Sequence, residues 1–277
     1  MTLATRHTAG RTPSNPGRST RDSQLVRFVG RHGAVSIAQV MAALDVGQTA
    51  AYRRVSALID AGLLERLDLL SAEPNLLRAT RSGLRYAGLG MSPAIVSPGS
   101  ISHWLRCSAV GLDLEARHGP DRILSVRELI AAERHEERPI ASAVIGKLPD
   151  GRPRLHRPDL VVLPEGHPLA TAVPAKVGGA PVSLVAHART QKLAREISGG
   201  DQRAPAGAEG MGVWVYEVEL TPKSPRRLRE IIRGWRRAEH IDRVHYLCEP
   251  GQTRRAVERA VAELHASGRI VVSEATS

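Results

Sequence analysis

The chain has 277 residues and carries 39 lysines and arginines against 28 acidic residues, a formal net charge of +11. The length predicts two domains, and the basic charge favours a polyanionic partner such as nucleic acid. The sequence contains no run of 18 apolar residues that would indicate a membrane span, and no secretion signal. Two cysteines are too few for a disulfide scaffold, so we expect a cytoplasmic protein.

The N-terminal third is the most basic part of the chain, because residues 1–90 hold 12 arginines against 6 acidic residues. Residues 1–21 are mostly Thr, Ser, Gly, Pro and Arg, which predicts a disordered basic tail. Three amphipathic patterns follow. The first helix starts at a cap in 22–23, the second is capped by Ser36, and the third spans about 48–61.

Two strand-like runs, 63–70 and 75–80, come after the third helix and are separated by a short turn. Helix, helix, tight turn, helix and β-hairpin is the element order of a winged helix-turn-helix. We therefore predict a DNA-binding domain over residues 22–90. Residues 91–101 contain prolines and serines and predict a linker.

The third predicted helix has an apolar and a polar face. Ala51, Val55 and Leu58 recur at helical spacing and predict the side that packs inward. The opposite side carries amide, hydroxyl and guanidinium groups, which suit the base edges and phosphates of double-stranded DNA. The predicted DNA contacts are Gln48, Thr49, Tyr52, Arg53, Arg54 and Ser56 on this helix, with Arg66 and Arg78 in the hairpin. A solvated helix face, or a protein-binding winged helix, is the alternative interpretation.

Residues 102–277 alternate between helical and strand-like segments, which predicts an α/β fold class with a mixed central sheet flanked by helices. The predicted elements are helix 102–118, strand 123–126, a short helix at 128–134, strand 158–163, strand 213–220, helix 225–237, strand 243–247, helix 253–267 and strand 269–273. Residues 164–212 are rich in Gly, Ala and Pro and show no sustained period, so we expect a flexible insertion there.

Acidic residues stand on two of these predicted strands. Asp159 opens one strand, and strand alternation places Glu217 and Glu219 on one face of another. Carboxylates on an apolar strand face are unfavourable unless they are solvated, paired or bound to a cation. Three carboxylates suit Mg²⁺ or Mn²⁺, so we predict Asp159, Glu217 and Glu219 as metal ligands, with Lys223 positioned to orient a water or contact a phosphate.

This pattern resembles the PD-(D/E)xK nuclease superfamily, whose core runs helix, three strands, helix, strand. In that superfamily two acidic residues hold the metal and a lysine positions the attacking water. The sequence departs from the motif, because Glu219 stands where the lysine is expected and the nearest downstream lysine is Lys223. The resemblance thus implies a metal-dependent DNA endonuclease, a site that binds metal without cutting, or a non-catalytic remnant.

The winged-helix pattern, followed by HRPDLVVL, WVYEVELTPKSPRRLREIIRGW and DRVHYL, resembles the bacterial replication-relaxation family of plasmid and mobile-element proteins. The resemblance covers residues 23–248 apart from the insertion. It implies DNA binding in plasmid replication, relaxation or mobilisation, with a relaxosome or replication protein as a partner. The histidine pair and tyrosine pair of a rolling-circle nickase are lacking, which argues against a relaxase that links itself to DNA. His156 is either an assistant at the acidic site or a surface histidine.

Three hypotheses remain open from the sequence. The first is a sequence-reading DNA-binding protein of a plasmid or mobile element. The second is a Mg²⁺-dependent endonuclease or nickase that uses Asp159, Glu217 and Glu219. The third is a transcriptional regulator whose catalytically dead nuclease-like domain forms a homodimer.

Overall fold

The computed structural model describes residues 19–68, 76–171 and 212–275. Within these ranges the chain is a mixed α/β protein, which confirms the predicted fold class at that level. Its elements fall into an N-terminal and a C-terminal group, each with its own sheet and hydrophobic core. None of the helices in the described ranges combines the length and the apolar character that a membrane span requires.

The N-terminal group consists of three helices, a small sheet and a fourth short helix. These elements are α1 (Thr20–His32), β1 (Val35–Ser36), α2 (Ile37–Leu44), α3 (Gln48–Asp60), β2 (Leu64–Leu67), β3 (Leu76–Ala79) and α4 (Arg81–Tyr86). Strand β3 lies between β1 and β2 and is antiparallel to both. The helices share one core with this sheet through buried Leu25, Phe28, Val55, Leu58 and Leu77. The predicted order of helices and hairpin is present, and β1 adds a third strand.

Local capping chemistry explains where these helices begin. Helix α2 starts with a capping box, in which the Ser36 hydroxyl accepts from the Gln39 amide and the Gln39 side chain accepts from the Ser36 amide. Asp45 adopts a left-handed conformation with φ of 50°, which allows the tight turn into α3. Helix α1 begins at Thr20, because the Ser19 hydroxyl accepts from the Asp22 amide. The predicted start at 22–23 was therefore too late, and residues 20–21 belong to the helix.

The C-terminal group is built on a mixed five-stranded sheet. Its elements are α5 (Ile101–His118), β4 (Ile123–Ser125), α6 (Val126–Glu136), β5 (Ala143–Lys147), β6 (Pro153–His156), β7 (Leu160–Val162), α7 (Pro168–Thr171), β8 (Trp214–Glu219), α8 (Pro225–Arg237), β9 (Arg243–Cys248), α9 (Gln252–Glu263) and β10 (Ile270–Glu274). The strand order is β10-β9-β8-β7-β4. Strands β8, β9 and β10 run parallel, whereas β7 is antiparallel to β8 and β4.

Helices cover both sides of this sheet. Helix α8 packs Ile231, Ile232 and Trp235 into a core that includes Val215 of β8. Helix α5 contributes Leu114 to a second cluster that contains Tyr216, the neighbour of Val215 along the same strand. The alternation along β8 therefore separates two packed layers, as strand geometry requires.

Two predictions about the C-terminal group need correction. Residues 143–156 contain an antiparallel hairpin of β5 and β6 that the sequence pattern did not indicate. The flexible insertion predicted at 164–212 is wrong for residues 168–171, because they form α7 and Ala170 is buried in the core. Residues 172–211 lie outside the described part of the chain, as do 1–18 of the predicted tail and 69–75 of the predicted hairpin.

Arg31 of α1 joins the two groups of elements. Its guanidinium is buried and pairs with Glu115 of α5 at 2.9 Å and with Glu128 of α6 at 2.8 Å. It also donates to the backbone carbonyl oxygens of Pro120 and Ile123. A buried arginine with carboxylate and carbonyl acceptors holds a defined orientation, so the N-terminal group is fixed against α5 and α6.

Candidate functional site

Strand β8 carries two carboxylates in the interior of the protein. Glu217 and Glu219 are 4% and 5% exposed, and both belong to the strand that lies at the centre of the sheet. The parallel register sets Tyr246 beside Glu217 and Cys248 beside Glu219 on β9. Two buried carboxylates on one strand need compensating partners, because an unpaired buried charge is strongly unfavourable.

Each of these carboxylates has a basic partner. Glu217 Oε1 lies 2.7 Å from His156 Nε2, and the His156 side chain is only 13% exposed. Lys223 Nζ donates to Glu219 Oε2 across the end of the strand. The structure thus places Lys223 against Glu219, the last residue of β8. It also places His156 at the acidic residues instead of on an open surface.

Asp159 is fixed immediately before β7 by hydrogen bonds to the neighbouring strand. Its Oδ2 accepts from the Val218 amide at 2.7 Å, and its own amide donates to the Tyr216 carbonyl at 3.0 Å. Its Oδ1 lies 3.0 Å from His103 Nε2 on α5. Asp159 therefore connects the start of β7, the end of β8 and the first turn of α5.

The titration of this region reflects burial and the crowding of charges. Burial raises the pKa of Glu219, and the charges of Glu217 and Asp159 raise it further, while Lys223 opposes them. The pKa of Glu219 is therefore raised overall. The hydrogen bond to Asp159 raises the pKa of His103. The charges of Glu217 and Asp159 thus act on Glu219, but among the described residues the three predicted carboxylates do not form a group whose ligand atoms all lie within 4.8 Å of one another.

Another set of potential metal ligands overlaps this region. Among the residues that the structure describes, His103, Cys107 and Asp159 form a group whose ligand atoms all lie within 4.8 Å of one another. Cys107 Sγ is 3.4 Å from His103 Nε2, one helical turn along α5. Asp159 is the member of the predicted ligand set that belongs to this group.

Carboxylate oxygens are hard ligands, so Asp159, Glu217 and Glu219 fit Mg²⁺ or Mn²⁺ by donor chemistry. Burial of Glu217 and Glu219 also makes a cationic partner favourable. The protein already provides cationic or hydrogen-bonding partners to each of them, namely Lys223, His156 and the Val218 amide. A divalent metal would therefore compete with these contacts for the same oxygens.

The second candidate surface is the outer face of α3. Ala51, Val55 and Leu58 are buried as predicted, so the opposite side faces outward. Five of the predicted DNA contacts on this side are exposed, namely Gln48, Thr49, Tyr52, Arg53 and Ser56. Tyr52 keeps 39% of its surface exposed, which is unusual for an aromatic side chain in this protein. Arg66 on β2 is exposed as well.

Two of the predicted DNA contacts are engaged within the protein. Arg54 pairs with Asp22 of α1 and bonds the Ser19 hydroxyl. Arg78 pairs with Glu65 across the hairpin and donates to the Ala94 carbonyl at 2.7 Å. Both arginines therefore hold elements together, and Arg53 and Arg66 are the more accessible cations of the predicted set.

Sequence reasoning missed His103 and Cys107. Their spacing of four residues on a predicted helix was visible, and it puts both side chains on one helix face. Their proximity to Asp159 could not be read from spacing, because it depends on how α5 packs against the sheet. Looking for pairs of histidines or pairs of cysteines therefore misses a group that combines one histidine, one cysteine and one aspartate.

The chain was compared with family models, with curated proteins and with solved structures, and none of the comparisons found a match.

Proposed function

We propose that the chain is a DNA-binding protein of a plasmid or another mobile element, acting in replication, relaxation or mobilisation. In this proposal residues 22–90 form a winged helix-turn-helix that reads double-stranded DNA, and residues 91–101 link it to a nuclease-like α/β domain over 102–277. The second domain engages DNA or a relaxosome or replication protein.

The outer face of α3 carries this proposal. Gln48, Thr49, Tyr52, Arg53 and Ser56 are exposed together on a helix of 13 residues, which is about 20 Å long. An α-helix fits the major groove, where amide and hydroxyl groups read base edges and arginine binds guanine or phosphate. The hydrophobic residues of α3 are used for the core, so these polar side chains are free of a packing role.

Two further features support the proposal. Arg66 is exposed on β2, where a hairpin beside the recognition helix approaches the DNA backbone. Arg31 fixes the N-terminal elements against α5 and α6, so DNA held by α3 has a defined position relative to the rest of the protein.

Titration of a fluorescent duplex with the full chain tests this proposal by fluorescence anisotropy at several salt concentrations. We expect affinity that falls linearly on a double-logarithmic plot of binding constant against salt, since arginine contacts release counterions from the phosphates. A duplex that remains unbound at about 50 mM salt would overturn the proposal. Competition with a single strand of the same sequence establishes that the duplex is the preferred ligand.

A second candidate function is a metal-dependent DNA endonuclease or nickase. The observation that favours it is the placement of Glu217 and Glu219 as buried carboxylates on β8, with Lys223 bonded to Glu219. Asp159, Glu217 and Glu219 would hold Mg²⁺ or Mn²⁺, and such a metal supplies a Lewis acid and an activated water. Lys223, which bonds Glu219, would orient a water or a phosphate oxygen, and His156 would hold Glu217 in place.

Incubation of supercoiled plasmid with the protein and Mn²⁺ tests this second function. The active-site hypothesis predicts nicked circles that disappear in Glu217→Gln and persist in Glu239→Gln, an exposed glutamate after α8. Nicking that survives Glu217→Gln would assign the activity to a contaminant. The absence of nicking with any divalent metal would leave DNA binding as the function.

A further inference from the structure

Three potential metal ligands of different chemistry converge where the first turns of α5 meet the start of β7. His103 and Cys107 lie one turn apart on α5, and Asp159 precedes β7. His103 Nε2 is 3.0 Å from Asp159 Oδ1 and 3.4 Å from Cys107 Sγ. An imidazole nitrogen, a thiol sulfur and a carboxylate oxygen thus lie within 4.8 Å of one another.

The geometry distinguishes a metal site from a catalytic triad. In a nucleophile–histidine–acid triad the acid holds one ring nitrogen and the nucleophile contacts the other. Here the carboxylate and the sulfur both approach Nε2 of His103. A single ring nitrogen holds one proton or one lone pair, so it cannot relay a proton between these two groups. Mutual approach of three donor atoms within 4.8 Å of one another is instead what the ligands of one cation show.

The distances are close to those of a tetrahedral zinc site. Zinc bonds of about 2.3 Å to sulfur and about 2.0 Å to nitrogen, at the tetrahedral angle, separate the two ligand atoms by about 3.5 Å. The corresponding separation of nitrogen and oxygen is about 3.3 Å. The observed 3.4 Å and 3.0 Å differ from these separations by a few tenths of an ångström at most, and the sulfur and the carboxylate oxygen lie within 4.8 Å of each other.

We propose that His103, Cys107 and Asp159 bind a borderline divalent transition metal of the zinc type. Sulfur and imidazole ligands select such metals over Mg²⁺, which prefers oxygen. The Val218 amide already orients Asp159 by bonding its other oxygen, as outer partners of metal ligands do. The His103 side chain is 42% exposed, which gives an ion access from solvent. Three protein ligands leave the fourth position for water.

This site shares Asp159 with the magnesium site of the second candidate function, and its sulfur and imidazole ligands distinguish the two. It does not depend on DNA binding. The metal would join α5 to the start of β7, beside the Lys223 and Glu219 pair, whose charges act on His103. Failure of the DNA-binding proposal therefore leaves this site untouched, and the reverse also holds.

Titration of the full chain with Co²⁺ tests the site directly, because a thiolate bonded to cobalt produces a near-ultraviolet charge-transfer band. The chain has two cysteines, Cys107 and Cys248, and both are buried. We expect one equivalent of Co²⁺ to produce the band and Zn²⁺ to abolish it by displacement. The band should be lost in Cys107→Ser and kept in the matched control Cys248→Ser.

A wild-type protein that binds no Co²⁺, or binds it without the band, overturns the proposal, as does a band that depends on Cys248. If circular dichroism shows that Cys107→Ser does not fold, His103→Gln decides the question, since a side chain this exposed can be replaced without opening a cavity. We expect His103→Gln to weaken Co²⁺ binding by at least about tenfold, because even second-shell changes have effects of that size. Unchanged affinity in His103→Gln overturns the proposal.

Discussion

Replacement of Arg31 by Met should destabilise the protein more than almost any other single change of an arginine. Arg31 is 4% exposed and is held by Glu115, Glu128 and two backbone carbonyls. Burial alone would lower the pKa of Arg31, but the charges of Glu128 and Glu115 outweigh it and raise the pKa. The arginine therefore stays charged, and its removal leaves two buried carboxylates without their cation.

The expected loss follows from this arrangement. Breaking a buried ion pair by removing one partner reduces the free energy of unfolding by about 3–5 kcal/mol. A protein of ordinary stability has about 5–15 kcal/mol in total, so Arg31→Met should lose a large share of it. The triple variant Arg31→Met/Glu115→Gln/Glu128→Gln should recover part of the loss, because it leaves no buried charge unpaired. Gln at position 128 can still close the capping box with Ser125.

Urea unfolding followed by tryptophan fluorescence measures these differences. The matched control is Arg255→Ala on α9, an exposed arginine whose replacement should change the free energy of unfolding by no more than about 0.5 kcal/mol. A loss below about 1 kcal/mol in Arg31→Met would refute the reasoning, because typical buried ion pairs are worth several times that when broken. A triple variant less stable than Arg31→Met would also refute it.

Two other variants test the packing and the titration of the core. Gly111→Ala places a methyl group against the ring of His32, so it should lower the free energy of unfolding by about 1–3 kcal/mol in urea unfolding. Gly268→Ala, which meets no heavy atom within 4 Å, should stay near wild type, and equal effects of the two would contradict the packing. Burial lowers the pKa of His245 from its ordinary 6.5 to about 4. Neutral His245 therefore contributes to the free energy of unfolding in full above pH 6.5, and this contribution is lost as the pH falls toward 4. His245→Phe should reduce the acid-induced decrease of unfolding free energy over that interval, and an unchanged pH profile would argue against it.

Much of the architecture was predictable because the hydrophobic period is strong in its main elements. The predicted helix 225–237 coincides with α8, and the predicted strand 213–220 contains β8. The β5–β6 hairpin was not predicted, since Gly146 and Pro153 disfavour strands by propensity. That hairpin is stabilised by tertiary contacts, such as the ion pair of Arg154 with Glu230 of α8.

The candidate site was predictable only where its residues are near in sequence. The four-residue spacing of Glu219 and Lys223 anticipates their contact, because Glu219 ends β8 and Lys223 follows shortly after it. His103 and His156 reach the acidic residues from α5 and β6, which are distant in sequence from β8. Their positions depend on the packing of helix and hairpin against the sheet, which no local pattern encodes.

The proposed reading of duplex DNA by α3 is tested most directly by Arg53→Ala in the full chain, compared with Arg255→Ala. Anisotropy titrations with a fluorescent duplex at several salt concentrations give both the affinity and its salt dependence. If Arg53 contacts a base edge, we predict that Arg53→Ala weakens binding by roughly 5- to 150-fold, the equivalent of about 1–3 kcal/mol. If Arg53 contacts a phosphate, we predict that the variant reduces the salt slope by about one. Arg255→Ala should retain wild-type affinity and slope. Unchanged binding by Arg53→Ala, or an equal loss in both variants, would contradict the assignment of α3 as the DNA-reading helix.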